Sequence, residues 1–247
     1  MIDTTFDFTT DSKGYWDGFW DRNEGLGCGG SDPDSRSSTL KEYHRILWSK
    51  YLPNGKYLKL ENEKAPGYLS WNSFDFSSDS IIIGMRHINY RNVIEQVFDR
   101  VGDYKSYYED LIRRSYTIGG MIIFPAHLNS INQRRGCNYY IRDRWDLTME
   151  CIRRFYLGQN SPLYTTLYHD KDFFDLFVDF KGYVDFFLLQ DCVLDDYSAV
   201  DIWCGDTSFT KCGYPSTVDD YFAFIEKEFA FLEKRNQRIK EYCREKI

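Results

Sequence analysis

The sequence predicts an α+β fold: a single helix-rich domain with a small, mostly antiparallel sheet and a long C-terminal helix. Three observations carry this. Several segments repeat apolar residues at helical spacing, and the longest of them closes the chain. Between them lie short β-rich runs, of which "GGMIIFP" (119–125) is the most apolar. No internal repeat and no linker divides the 247 residues, so the whole chain, 1–247, reads as one domain with room for a sizeable core.

The elements follow in order. Residues 6–38 are rich in Gly, Ser, Asp and aromatics without helical periodicity, which predicts strand and loop, mobile over 24–38. Thr39 as N-cap with Glu42 three residues on predicts a capping box, and Leu40, Tyr43, Leu47 and Trp48 place one apolar face on the helix that follows. "LPNG" (52–55) ends it in a turn. "KYLKL" (56–60) and "GYLSW" (67–71) read as short strands and "SIIIGMR" (80–86) as a stronger one. Two amphipathic helices come next, the second with Tyr104, Tyr107, Tyr108, Leu111, Ile112 and Tyr116 on its stripe.

"GGMIIFP" predicts a buried strand closed by Pro125. A helix with Trp145, Met149, Ile152 and Tyr156 on one side stops at Gly158. Two short helices precede an apolar element, Tyr183 to Val193, whose periodicity fits strand and helix alike. Ser216 and Asp219 cap the last helix, which runs to 247 with Val218, Tyr221, Phe222, Ile225, Phe229 and Leu232 facing the core.

Aromatic residues make up 18 % of the chain, enough to pack a core with rings and leave some to stack on a planar ligand. The net charge of −7 excludes a protein that coats nucleic acid through bulk charge. No apolar run approaches membrane-spanning length and no secretory leader is legible, so the expectation is a cytoplasmic protein. Seven cysteines without a CxxC pair fit reduced, mostly buried thiols.

Four polar groups interrupt well-formed elements. His44, with Arg45 and Lys50, lies on the first helix. Ser77, Ser78, Asp79 and Ser80 precede the run of isoleucines, where hydroxyls beside a carboxylate suit a ribose or an ordinary turn. "NSINQRRG" (129–136) sets Asn132, Gln133, Arg134 and Arg135 before a glycine, a composition for holding phosphate or an amide edge, and Arg144 follows at the next helix. Asp185 and Asp191 sit in or beside an apolar element, where a carboxylate needs a partner or a function.

"DPDSRSSTLKEYHRILWSKYLPNG", "FSSDSI", "SINQRRG", "RDRWDLTMECIRR" and "DFKGYVDFFLLQD" resemble a family of uncharacterised proteins of bacteria and their phages, from about Asp32 to Asp191. Such proteins are often toxins or phage-defence effectors, by association only. In order along the chain the sequence is also similar to ADP-ribosyltransferase toxins, which place a basic or histidine residue early, a Ser-rich strand in the middle and a carboxylate late. It departs from them in setting His44 on a helix and in offering Asp where they use Glu.

That resemblance implies NAD as cofactor. Arg134, Arg135 and Arg144 with Asn132 would hold the pyrophosphate, tyrosines would stack the nicotinamide, and Ser77, Ser78 and Asp79 would fix the ribose. His44 and one of Asp185 or Asp191 would be catalytic, the acid stabilising an oxocarbenium-like centre. The acceptor would be a protein or nucleic acid. One alternative is a Mg²⁺-dependent nuclease toxin using Asp143, Asp146 and Glu150. Another is a non-catalytic nucleotide-binding or partner-binding module. In that case Phe224 and Phe231 on the last helix would face an antitoxin or other partner, unless they pack within the domain.

Overall fold

A computed structural model of the chain describes residues 2–17, 32–61, 68–81, 91–135, 141, 144–203, 209 and 215–246. The α+β expectation holds. Three strands, β1 (Leu69–Trp71), β2 (Phe74–Ser80) and β3 (Met121–Pro125), form one antiparallel sheet in the order β1-β2-β3. β1 and β2 are a hairpin whose turn places Asn72 at φ 54, the left-handed region that Asn tolerates. β3 meets β2 with Met121 opposite Ser80 and Phe124 opposite Ser77. All five residues of β3 are buried, as its apolar run predicts.

Helices enclose this sheet. α1 (Pro33–Arg36) and α2 (Ser38–Trp48) precede it, and α3 (Arg91–Val101) and α4 (Tyr104–Ser115) lie between β2 and β3. After β3 come α5 (Ile131–Arg134), α6 (Trp145–Tyr156), α7 (Tyr164–His169), α8 (Lys171–Phe174) and α9 (Phe180–Phe186). α10 (Val218–Lys246) ends the described chain. One continuous hydrophobic cluster runs through all of these except α1. Rings supply much of it: Phe177 meets Tyr183, Phe186 and Phe187 at centroid separations of 5.2–5.3 Å, within the range where aromatic pairs attract. Among the described residues, much of the aromatic content packs into this core.

Several boundaries differ from the sequence reading. The cap of α2 is Ser37, whose hydroxyl accepts from the Leu40 N–H at 3.0 Å; the Thr39 N–H goes to Asp11 instead, at 3.0 Å. At α10 the capping box forms one residue later than expected. Thr217 and Asp220 exchange hydrogen bonds at 3.1 Å, and Asp219 turns to Arg100. The serine-rich stretch is itself strand β2, and Ile81 lies past its end; 82–86 fall outside the described residues. Of the stretch expected to be mobile, 32–38 is the cap and body of α1 and the start of α2, and 24–31 lies outside the described residues.

The element from Tyr183 onward resolves to helix, α9, followed by a 3-10 turn over Gln190–Cys192. Phe224 and Phe231 pack inward on Trp203, at 6.0 and 5.6 Å, so the internal reading of those two rings is the one realised. Cys151 and Cys192 are free, buried thiols and Cys243 is partly buried; the other four cysteines lie outside the described residues. Burial pushes the Cys151 thiol up to about 12, which leaves it unreactive at neutral pH. Among the described residues no helix is long and apolar enough to cross a membrane.

Candidate functional site

The two halves of the sheet are offset, and the offset makes a pocket. β1 pairs with β2 only from Phe74 to Phe76, whereas β3 pairs from Phe76 to Ser80. Beyond Phe76 the β1 side of β2 is left to α1, which packs there through Asp34. Between α1, β2 and the loop after β3 lies a cavity of about 470 Å³, a size that suits a small-molecule ligand. Its floor is Ser77, Ser78 and Asp79. Asp32 and Asp34 form one wall, and His127, Ser130 and Asn132 form another. Tyr68, 39 % exposed, stands among the lining residues with its ring available for stacking.

Strand alternation sends the floor residues to different partners. Ser78 shares the face of Phe76 and reaches His44, whose Nε2 is 2.9 Å from its Oγ. Trp48 donates its indole N–H to His44 Nδ1 at 3.0 Å, so the single proton of the neutral ring sits on Nε2 and is donated to Ser78. Ser78 in turn donates to the Ile122 carbonyl at 3.4 Å. Burial, aided by the charge of Arg235, lowers the His44 pKa from 6.5 to about 3. His44 therefore takes no proton from Ser78 at neutral pH. It orients the serine through its Nε2–H.

Ser77 and Asp79 face the other way, toward α5. Asn132 donates to Ser77 Oγ at 2.6 Å, and the amide oxygen of Asn132 accepts from Ser130. Arg135, 5 % exposed, donates to Asp79 at 2.9 Å and to the Ser80 carbonyl at 3.0 Å. Its ring of contacts closes with Thr148 and the face of Trp145. Arg134 is turned to Asn129 at 2.7 Å. The "NSINQRR" segment thus builds a wall with Asn132 and Gln133 and neutralises Asp79 with Arg135. The cavity it borders is lined by the carboxylates of Asp32, Asp34 and Asp79.

The other sequence-derived candidates lie elsewhere. Arg144 is buried against Asp146, which also accepts the Trp203 N–H at 2.9 Å. Asp185, on α9, binds Lys181, Gln190 and Tyr197 and lines a second, more open depression of about 440 Å³ beside Lys50. Asp191 holds Arg238 of α10 through two hydrogen bonds of 2.9 Å. These aspartates have structural partners, though not the loop arginines. Of the nuclease triplet, Asp146 is taken by Arg144, and Glu150 by Arg153 and Arg154 at 2.8 Å each; Asp143 lies outside the described residues. Among the described residues no group of three or more His, Cys, Asp or Glu is placed to hold a metal.

Three pocket groups escaped the sequence reading. Asp34 accepts from the Ser80 N–H, and its Oδ1 is sealed from solvent with no hydrogen-bond partner among the described residues. Burial first, then the neighbouring Asp32 and Asp79, hold its carboxyl well above the ordinary carboxylate range. His127 forms a dyad with buried Asp170, Nε2 to Oδ1 at 2.5 Å, while its Nδ1 accepts a long contact from the Asn129 N–H at 3.2 Å. Tyr68 is the third.

A helix-rich α+β domain with a carboxylate-lined pocket at an open sheet edge is the class that fold and site define. The chain belongs to a family of unknown function, DUF6994, which it matches over residues 2–239. No curated protein and no solved structure matches it.

Proposed function

We propose that the pocket binds a ribose-bearing small molecule and cleaves its glycosidic bond, passing the ribosyl group to water or to a protein or nucleic-acid acceptor. The observation that carries this reading is the pairing in one cavity of Asp79, ion-paired to Arg135 at 2.9 Å, with the His127–Asp170 dyad. Positive charge develops at the anomeric carbon as a glycosidic bond breaks, and a fixed carboxylate lowers that barrier. His127, whose Nε2–H donates to Asp170, offers Nδ1 as base to the attacking hydroxyl once the Asn129 contact opens. Ser77 and the Asn132 amide supply hydrogen bonds to ribose hydroxyls, and Tyr68 a stacking surface for the base.

NAD remains the first substrate to test, because its nicotinamide ring is cationic and acidic walls favour that end of the molecule over the pyrophosphate. A toxin or phage-defence effector of bacterial or phage origin is the biological role this reading carries with it. The test is release of nicotinamide or free base from NAD, nicotinamide riboside, adenosine and AMP by the purified protein, alone and with protein, RNA and DNA acceptors added, followed by chromatography. Turnover is expected, with Asp79→Asn slower by about 10²-fold or more. A wild-type protein that cleaves none of the four is not a ribosyl-cleaving enzyme. If its melting temperature still rises with one of them, it is a binding module.

A further inference from the structure

Independently of the ribose pocket, we propose that the ε-amine of Lys50 is a nucleophile. In the depression beside it, it captures an uncharged, hydroxylated aldehyde or ketone as an imine. That depression, about 440 Å³ in volume, has Tyr51, Pro53 and Phe186 as apolar walls and Asp179, Lys181 and Asp185 as its polar side. Lys50 borders it and is half-buried. Its Nζ lies 4.5–5.0 Å from the ring centroids of Trp48, Phe186 and Tyr242 and donates to the Phe186 carbonyl at 2.7 Å. The rings and the carbonyl fix the amine in place, yet among the described residues no carboxylate pairs with it.

A second basic group stands close by. The next carbonyl along the chain, that of Phe187, accepts from Arg235 at 3.1 Å, so two basic side chains hang on consecutive carbonyls after α9. Desolvation beside another cation is how a protein makes a lysine nucleophilic at neutral pH. Burial first, then Arg235, lower the Lys50 pKa to about 7, with Cys243 of α10 opposing. About half of the amine is then neutral at pH 7, against less than about one part in 10³ for an ordinary lysine.

Lys181, in the same depression, is the contrast. It is bonded to Asp185, which also accepts from Gln190 at 2.9 Å and from Tyr197 at 2.6 Å, and that bond holds the Lys181 pKa above its ordinary value. Asp179 accepts from the Gly182 N–H at 2.7 Å. Both carboxylates have further lone pairs for ligand hydroxyls, and both disfavour an anionic ligand. Tyr51 and Phe186 offer ring surface to the body of the compound.

In the reaction the nitrogen lone pair attacks the carbonyl carbon. The nitrogen loses a proton to water, and the carbonyl oxygen gains one to give the carbinolamine. A second proton on that oxygen lets it leave as water, while the nitrogen pair forms the C=N bond of a protonated imine. No oxidant or reductant enters.

The test treats the full chain with glyceraldehyde or 4-hydroxybenzaldehyde at pH 7, with cyanoborohydride to reduce any imine to a stable amine. Intact mass and peptide mapping locate the adduct. Lys50 is expected to be labelled at least about 10-fold faster than Lys181 or any other lysine. Its labelling should saturate with aldehyde concentration and level off by about pH 8, while that of Lys181 still climbs. Lys50→Met should lose the adduct, with far-UV circular dichroism as folding control. The wild-type map decides the site even if that variant folds poorly. Labelling spread evenly over exposed lysines, confined to the α-amine, or absent from Lys50 would overturn the proposal. Labelling of Lys50 that stays linear in aldehyde would overturn the depression as a binding site.

Discussion

His44 has both ring nitrogens engaged, one by Trp48 and one by Ser78, in a site only 1 % exposed. Protonation would put a second N–H against the indole N–H, so the native state resists it. The folded pKa, about 3, lies below the unfolded value of 6.5, so between these pH values the unfolded chain binds a proton that the native chain does not. Stability is then complete above about pH 6.5 and declines as pH falls, by at most about 1.4 kcal/mol per unit. Asp34 works in the opposite sense: its raised pKa contributes stability below 3.8 that is lost as pH rises through the folded value. In an Asp34→Asn background, urea midpoints at pH 7, 6 and 5 should fall steadily, and adding His44→Gln should flatten the trend. A slope unchanged by that second substitution would contradict the buried neutral histidine.

The polar interruptions read from the sequence gather in part, as three hydrogen-bonded pairs along β2: His44 with Ser78, Asn132 with Ser77 and Arg135 with Asp79. Asp34 stayed hidden because "DPDS" reads as an ordinary cap, and indeed Asp32 caps α1 at 3.1 Å. Its role depends on a partner strand some 45 residues away, which no local spacing reveals. The surroundings of the two late aspartates stayed hidden for the converse reason. An apolar run suggests burial all round, yet on helix α9 Asp185 falls on the face shared with Lys181, one turn back.

At the scale of elements, β3 illustrates how an edge strand is closed without another strand. Its outer side is met by Arg235 of α10, which is fully buried and donates to the carbonyls of Gly119 at 2.7 Å, Met121 at 2.9 Å and Phe187 at 3.1 Å. Burial lowers its pKa to about 10, so it remains charged at neutral pH. Asn236 adds a bond to the Gly119 N–H at 2.7 Å. That close approach requires glycine, since a Cβ on Gly119 would lie 2.8 Å from the Leu232 carbonyl. "GGMIIFP" announced a buried strand, but nothing in its pattern named the arginine that closes it. Arg235→Met should cost roughly 2–5 kcal/mol by orphaning those carbonyls, and Arg235→Lys should recover only part, because one ammonium cannot span both sides. Urea unfolding checks this, and a methionine variant as stable as wild type would show the carbonyls find other partners.

At the scale of the molecule, α10 is the member that joins distant parts of the chain. Asp219 at its start pairs with Arg100 of α3, Phe222 meets Tyr107 of α4, and Phe224 and Phe231 clasp Trp203. Arg235 holds β3, and Arg238 holds Asp191 beyond α9. Because β3 sets the register of β2, and β2 is the floor of the pocket, the site depends on a helix that does not line it. The helix was legible from the apolar spacing, its cap to within one residue; its place at the centre of the fold was not, since that rests on contacts with Arg100, Tyr107 and Gly119 over a hundred residues away. The physical consequence is cooperative unfolding: α10 cannot leave without opening the sheet. Phe231→Ala, which removes a ring only 2 % exposed, should therefore cost about 3–5 kcal/mol. It should lower the urea midpoint identically whether followed by far-UV circular dichroism or by tryptophan fluorescence, which reports Trp48, Trp145 and Trp203 in separate parts of the core. A ligand that fits the pocket should raise that same midpoint by both probes, although it touches no residue of α10. Two separate transitions, with fluorescence preceding the loss of helix, would mean instead that α10 and the sheet unfold independently and that the pocket does not depend on the helix.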